Sequence, residues 1–440
     1  MKKSKGISNQ MDMLNGSIFD KILLFALPLA ISSILQQLFN SVDVAVVGRF
    51  ASSEALAAVG SNSSVISLLI NLFVGISVGA NVVIANYIGQ GKTEKIQDAV
   101  HTVMIVSLIS GVFLLVLGLM IARPILEIMG TPENVIDLAV LYLHIYFLGM
   151  PFLMIYNFGA AVLRSKGDTK RPLYCLIISG VINSCLNLLF VIVFKLSVAG
   201  VAIATVIADG GSAVLIIYFL MNEEETIRLR LNKLKIKKSE LIKVIKIGVP
   251  AGLQGVVFSI SNVCIQTAIN SFGSDVIAGY SAAIKLNTFA ITSFSTLGNA
   301  MSSYTAQNTG ARKLLRIPEG LKAGIVMLIV VSLPFFIAYF VFPNTMMNIF
   351  VKSSEAGIID VGRIFLKIVT PFYFVISAKL TFDGILRGAG RMRAFMASTF
   401  TDLLLRVILA YVFSYALNSE VGIWLSWPVG WTIAAVISAV

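Results

Sequence analysis

The sequence predicts an all-α membrane protein of twelve transmembrane helices in two pseudo-symmetric six-helix bundles, related as a parallel repeat. Three observations carry that prediction. First, hydrophobic residues make up 57% of the 440-residue chain, only 13% is charged, and the mean hydropathy is +0.89. A soluble domain of this size needs far more polar surface. Second, apolar stretches of about 20 residues recur along the chain, the length at which a helix crosses a ~30 Å hydrocarbon core. Third, short motifs in the first half return in the second at a nearly constant offset.

Twelve spans follow in order, at 18–47, 56–86, 98–122, 135–161, 172–194, 198–220, 242–270, 281–307, 321–342, 358–385, 395–416 and 421–440. Pro28 and Pro250 interrupt the first and seventh near their starts. A proline there removes an amide donor and bends the helix, which a bundle tolerates where neighbours satisfy the freed carbonyl. The resulting organisation is a cytoplasmic tail at 1–17, an N-terminal lobe at 18–220, a cytoplasmic linker at 221–241 and a C-terminal lobe at 242–440. Val440 falls inside the last span, so the natural polypeptide is expected to continue.

The formal net charge of +12 is distributed as topology requires, not as a nucleic-acid surface. Lys and Arg concentrate in the tail and at 92–95, 164–171, 228–246, 312–322 and 387–393. Alternate loops carry isolated charges such as Arg49, Arg123, Lys195 and Lys352. The positive-inside rule then places both termini in the cytoplasm. No cleavage site follows the first span, so no removable signal peptide is read. Cys175, Cys185 and Cys264 all fall within spans and read as small apolar residues, and His101 and His144 are too separated for a metal site. The linker, from Glu223-Glu224-Glu225 to Lys237-Lys238, reads as a solvated connection whose basic end lies near anionic headgroups.

The repeat is the most informative feature. Pro28 returns as Pro250 and Asn40 as Asn262, each 222 residues on. Gly89-Gln90-Gly91-Lys92 returns as Gly310-Ala311-Arg312-Lys313, and Leu163-Arg164-Ser165-Lys166-Gly167 as Leu386-Arg387-Gly388-Ala389-Gly390. With six spans per copy, both copies share one orientation in the bilayer, and the predicted pseudo-two-fold axis runs along the membrane normal. Paired lobes of this kind suit alternating access.

These motifs, with Gln36-Gln37-Leu38-Phe39-Asn40-Ser41-Val42-Asp43 in the first span and Gly167-Asp168-Thr169-Lys170-Arg171-Pro172 after the fourth, resemble the multidrug and toxic compound extrusion (MATE) family over essentially the whole chain. The resemblance implies export of amphipathic, often cationic, organic molecules, driven by inward H⁺ or Na⁺. It is similar to the DinF-like branch, because Phe258 stands where the NorM-type branch has a glutamate in the seventh span. Coupling is therefore expected in the N-terminal lobe.

There the first candidate is Asp43, which matches the family's first-span aspartate. An ionised carboxylate within hydrocarbon is costly and is retained where it meets a cavity, a partner or a cation. The plainer reading is a solvated aspartate at a helix end. The family's cation site also maps onto Asn183, Asn187 and Thr205, making these three and Asp43 the candidate Na⁺ ligands. Asn183 and Asn187 share a helix face by their i, i+4 spacing. The family acid has become Asn187 here, which weakens the case for Na⁺, since hard cations favour carboxylate oxygen. Asp209, four residues after Thr205, is read as a carboxylate relocated from the fifth span to the sixth; its alternative is a local hydrogen-bonding role.

Candidate substrate contacts are Gln36, Gln37, Asn40 and Tyr146 in the first half and Asn262, Gln266, Lys285, Asn287 and Asp383 in the second. Lys379 with Asp383, and Asp402 with Arg406, are spaced to form ion pairs, either neutralising charge within the bundle or forming a second polar site. No cofactor is expected beyond the coupling ion, no nucleic acid partner, and the chain is expected to act as a monomer in the lipid bilayer. A lipid-precursor flippase is the alternative; twelve spans and an acidic N-terminal lobe speak against it. No Ser/His pair, HExxH or phosphate-binding glycine loop supports an enzyme.

Overall fold

A computed structural model of the chain describes residues 13–223, 226–352 and 354–439; the expected tail thus lies largely outside them, as do Glu224, Glu225 and Val440. Twelve membrane-length helical stretches follow one another. They are α1 (Ile18–Phe50), α2 (Ser53–Gln90), α3 (Thr93–Ile128), α4 (Glu133–Leu148 and Met150–Ser165), α5 (Lys170–Leu188) and α6 (Ser197–Met221). After the linker come α7 (Lys238–Asn270), α8 (Ser274–Gly310), α9 (Arg316–Phe336), α10 (Ala356–Val369 and Tyr373–Gly388), α11 (Met392–Leu417) and α12 (Val421–Ala439). Nine of the described helices are individually long and apolar enough to cross a membrane, and the bent pair of α4 makes a tenth. Of the other two, α8 is diluted by Ser, Thr and Asn, and α10 is divided by a 3-10 turn at Thr370–Phe372.

Each interruption has a local cause. The two parts of α4 meet at 48° around Gly149, with Pro151 opening the second part. Proline removes the donor that would continue the ladder. A Cβ on Gly111 would come within 2.4 Å of the Pro151 Cα, so the bend is where α3 closes on α4. At the ends of α5 and α9 the ladder widens into π turns, Leu189–Val193 and Ile337–Val341.

The helices fold as two compact units. The first includes Leu27–Leu253, the second Met13–Ala26 and Gln254–Val440. The boundaries therefore lie inside α1 and α7, beside Pro28 and Pro250, although both helices run unbroken through their prolines. In the first unit α3 and α2 pack on both parts of α4, and α5 packs on α6. In the second, α10 packs on α8 and α11 on α12, around an aromatic core that includes Phe294, Phe365, Tyr373, Trp424 and Trp427. Close seams rest on glycine. A Cβ on Gly75 would lie 2.1 Å from the Gly252 Cα, and one on Gly384 would lie 2.1 Å from the Gly298 carbonyl oxygen. Small residues allow such backbone approach where lipid supplies no hydrophobic drive.

The linker is held to the first unit rather than simply solvated. The Arg230 amide donates to His101 Nε2 at 3.2 Å, and the Lys237 amide to Thr102 Oγ1 at 3.0 Å. Glu223 pairs with Arg171 and, at 3.5 Å, with Lys166.

The repeated motifs prove to be repeated helix endings. Gly167 and Gly390 both take positive φ, +94° and +72°. The Asp168 amide returns to the Leu163 carbonyl at 3.1 Å, and the Arg391 amide to the Leu386 carbonyl at 2.8 Å. Likewise Gly91 (φ +66°) and Arg312 (φ +57°) occupy matching left-handed positions, followed by Lys92 and Lys313 amides that close on Tyr87 and Asn308. Only glycine takes this conformation without steric cost. Gly167→Ala and Gly390→Ala should each lower stability by about 1 kcal/mol, whereas Arg312→Gly should leave it unchanged or raise it. Thermal melts of the purified variants in detergent check the contrast in sign.

Candidate functional site

In the first unit, α5 delivers two amides to one point. Asn183 and Asn187 are one turn apart, and both are buried, with Asn187 fully so. The Asn187 Nδ2 donates to Asp43 Oδ1 at 2.5 Å and to Asn183 Oδ1 at 3.2 Å. The Asn183 Nδ2 donates in turn to Thr205 Oγ1 at 3.2 Å, and the Thr205 hydroxyl to the Val201 carbonyl at 3.0 Å. Four predicted residues on three helices thus form one chain, in which Asn187 donates both ways, to the Asp43 carboxylate on one side and through Asn183 and Thr205 to backbone on the other.

The approach of α1 to α5 rests on Gly180. The ring of Phe39, one turn before Asp43, fills the place of the missing side chain, and a Cβ there would come within 2.0 Å of the ring. That contact brings α1 close to α5 one turn before Asp43. The chain is not fully satisfied, since Asn187 has both amide hydrogens committed while its Oδ1 is buried with no hydrogen-bond partner. An unused acceptor beside a carboxylate suits a small cation or a protonated acid.

Asp209, one turn after Thr205 on α6, lies within electrostatic reach of Asp43. Tyr142 and Tyr146 lie within electrostatic reach of both carboxylates, and their rings stack at 5.8 Å and 17°. Sequence reasoning named Tyr146 and missed Tyr142, although their i, i+4 spacing on α4 was the available signal. The second acid therefore sits in the same neighbourhood as the first, outside the hydrogen-bonded chain.

The remaining candidates are dispersed. Gln36 and Asn40 are exposed along α1, with Gln37 half-buried. In the second unit Gln266 donates to Asn270 at 2.9 Å, and Asn262 has a buried Oδ1 without a partner. Asn287 is buried and accepts from the Tyr373 hydroxyl at 3.0 Å, whereas Lys285 is exposed with its ammonium 5.8 Å from the Phe350 ring centre. Asp383 is buried beside Lys379. These residues do not converge on one point within either unit, as the four at Asp43 do. Among the described residues no group of three or more His, Cys, Asp or Glu is arranged to hold a metal ion.

The family model described as MatE matches residues 28–189 and again 250–412, once for each half. The probable multidrug resistance protein YoeA of Bacillus subtilis is 28% identical, over 96% of this chain and 92% of its own length. The multidrug export protein MepA of Staphylococcus aureus (strain N315) is 22% identical, over 86% of this chain and 83% of its own. Among solved structures, an outward-facing multidrug resistance MATE family transporter of the MOP superfamily superposes with a TM-score of 0.91 at 23% identity, covering 100% of this chain and 97% of that one. A MATE in a bent conformation gives 0.90 at 22% identity, over 99% and 96%. These likenesses show the fold, a twelve-helix transporter architecture.

With a single carboxylate in the hydrogen-bonded chain, sodium should raise the melting temperature of the purified protein no more than potassium does. Asn187→Asp adds a second carboxylate in contact with Asp43 and should introduce a sodium-specific rise. A sodium-specific rise already present in the unsubstituted protein would show that one carboxylate suffices.

Proposed function

The chain belongs to the MATE family of multidrug efflux transporters, and on that footing we propose that it is a secondary antiporter exporting amphipathic organic cations from the cytoplasm in exchange for protons. Its setting in this reading is the bacterial inner membrane, with both termini cytoplasmic and the monomer as working unit. The observation that carries the reading is the Asp43 carboxylate, held inside a membrane bundle by a single side-chain amide from Asn187, with Asp209 in electrostatic reach.

Protons are favoured over sodium by the ligand set. Asn183, Asn187 and Thr205 are neutral, and both donor hydrogens of the Asn187 amide are already committed. A protonated Asp43 supplies what that arrangement lacks, an O–H for the unpartnered Asn187 Oδ1. Protonation also removes the repulsion between Asp43 and Asp209, so that proton binding at one acid depends on the charge of the other. Exchange follows if proton and substrate each prefer a different arrangement of the first unit; a ligand equally at home in both would drive nothing.

Efflux of a fluorescent organic cation from vesicles should follow an imposed pH gradient and not an imposed Na⁺ gradient. Asp43→Asn should abolish proton-driven efflux, because the residue that exchanges the proton is gone. Asp209→Asn should retain substrate binding and shift the pH dependence of transport. Efflux driven by sodium alone would overturn the choice of ion, and no efflux under either gradient would remove the antiport reading. An Asp209→Asn protein with unchanged rate and pH profile would exclude that residue.

A further inference from the structure

The segment that joins α6 to α7 changes character along its length. Its first part behaves as a loop on a protein surface. Ile227 and Leu229 are buried in the core of the first unit, and the Leu229 amide returns to the Leu220 carbonyl at 2.9 Å. Beyond them the apolar side chains turn outward. Leu231, Leu234 and Ile236 are 56%, 40% and 41% exposed, interleaved with exposed Lys233 and Lys235 and followed by exposed Lys238. A 3-10 turn at Leu231–Lys233 marks the change. A single exposed apolar residue is ordinary, but several in so short a stretch form a patch, and patches mark interaction sites.

The depth of this stretch is fixed by its anchors. The Arg230 and Lys237 amides bond to His101 and Thr102, both inside the part of α3 expected to span the bilayer, 98–122. His101 lies eight residues after Thr93, so the loop crosses α3 roughly 12 Å along the helix from its start. The loop therefore runs where α3 enters the membrane, not beyond the helix ends. Apolar exposure continues at Ile242 and Ile245 of α7, within the span expected from residue 242. The charge is one-sided, since residues 226–239 hold six basic residues and no acid. Of the acids on neighbouring helices, Asp98 pairs with Lys237 at 3.6 Å and Glu240 with Lys243 at 3.3 Å, while Glu94 is exposed in the first turn of α3. Interfacial depth, outward Leu and Ile, and unopposed lysines together fit a lipid surface of negative charge.

We propose that residues 231–238 form a binding surface for acidic phospholipids on the first unit. Leu231, Leu234 and Ile236 enter the boundary between headgroups and acyl chains, and Lys233, Lys235 and Lys238 meet the lipid phosphates. Lysine suits this place because its apolar stem can lie along acyl carbons while the ammonium reaches the phosphate. The hydrogen bonds to His101 and Thr102 hold the backbone in advance, so little conformational entropy is lost when lipid binds. Basic residues alone would only hover near headgroups, whereas the apolar three insert. The identity of the leaflet, cytoplasmic, rests on the topology proposed above; the surface itself does not, and it is independent of the ion that drives transport.

Hydrogen–deuterium exchange of the purified full chain tests the surface, in nanodiscs of phosphatidylglycerol and of phosphatidylcholine with the same acyl chains. Both faces of a nanodisc carry the same lipid, so the result does not depend on the orientation of the chain. Exchange across residues 231–236 should be slower in phosphatidylglycerol, and raised salt should narrow the difference. Each of Lys233→Gln, Lys235→Gln and Lys238→Gln should reduce the added protection by about fivefold, with exchange at 227–229 unchanged. Leu231→Ser/Leu234→Ser/Ile236→Ser should reduce protection in both lipids. Thermal melts confirm that each variant is folded. Equal exchange in the two nanodiscs, or a difference that survives loss of all three lysines, would overturn the proposal. Protection found in native membrane vesicles but in neither nanodisc would assign the face to a protein partner and overturn it as well.

Discussion

A membrane-spanning bundle has no bulk water to satisfy the polar groups it encloses, so a buried hydrogen-bonding atom that finds no partner in the protein is costly. The side chains around Asp43 are arranged by that constraint. Asn187 commits both of its amide hydrogens, one to Asp43 and one to Asn183, and Asn183 passes the debt to Thr205 and finally to the Val201 carbonyl. The chain fixes the orientation of each member, because reversing any amide would place like atoms against one another. It leaves a single acceptor, Asn187 Oδ1, unserved. A protonated carboxyl at Asp43 or a small cation beside it would serve that acceptor.

The two units meet the same constraint with different chemistry. The first uses amides around its carboxylate, while the second uses hydroxyls and a lysine shared between two acids. Backbone geometry has been kept where chemistry has diverged. The left-handed helix endings at Gly167 and Gly390, and at Gly91 and Arg312, match in position and hydrogen bonding. Glycine seams bring helices close enough in both units for short polar side chains to reach one another. A repeat that conserves its turns and seams can thus exchange the residues between them.

Much of the architecture was legible in the sequence because membrane helices advertise themselves by length and composition, and each of the twelve expected spans corresponds to a helical stretch. The bend of α4 at Gly149 and the π turns were not legible, since apolar periodicity continues through them. Motif spacing located Asp43, Asn183, Asn187 and Thr205, but no spacing rule states which amide hydrogen goes where. The pairing of Asp402 with Arg406 failed for a related reason. An i, i+4 interval permits an ion pair, yet Lys379 and the faces of Trp427 and Phe258 competed for the partners from other helices. Tyr142 was overlooked because tyrosines are common in such bundles, and only its neighbours single it out.

The central claim, that substrate and proton movements are obligatorily linked through Asp43, is tested most directly in the reverse sense, because binding coupling is reciprocal. Liposomes containing the purified transporter would be loaded with an organic cation and a pH-sensitive dye, then diluted into substrate-free medium at equal pH on both sides. Antiport predicts that substrate leaving through the protein draws protons inward and acidifies the lumen, and that Asp43→Asn abolishes the signal. Substrate loss with no change in lumenal pH, or acidification that persists in Asp43→Asn, would contradict the account.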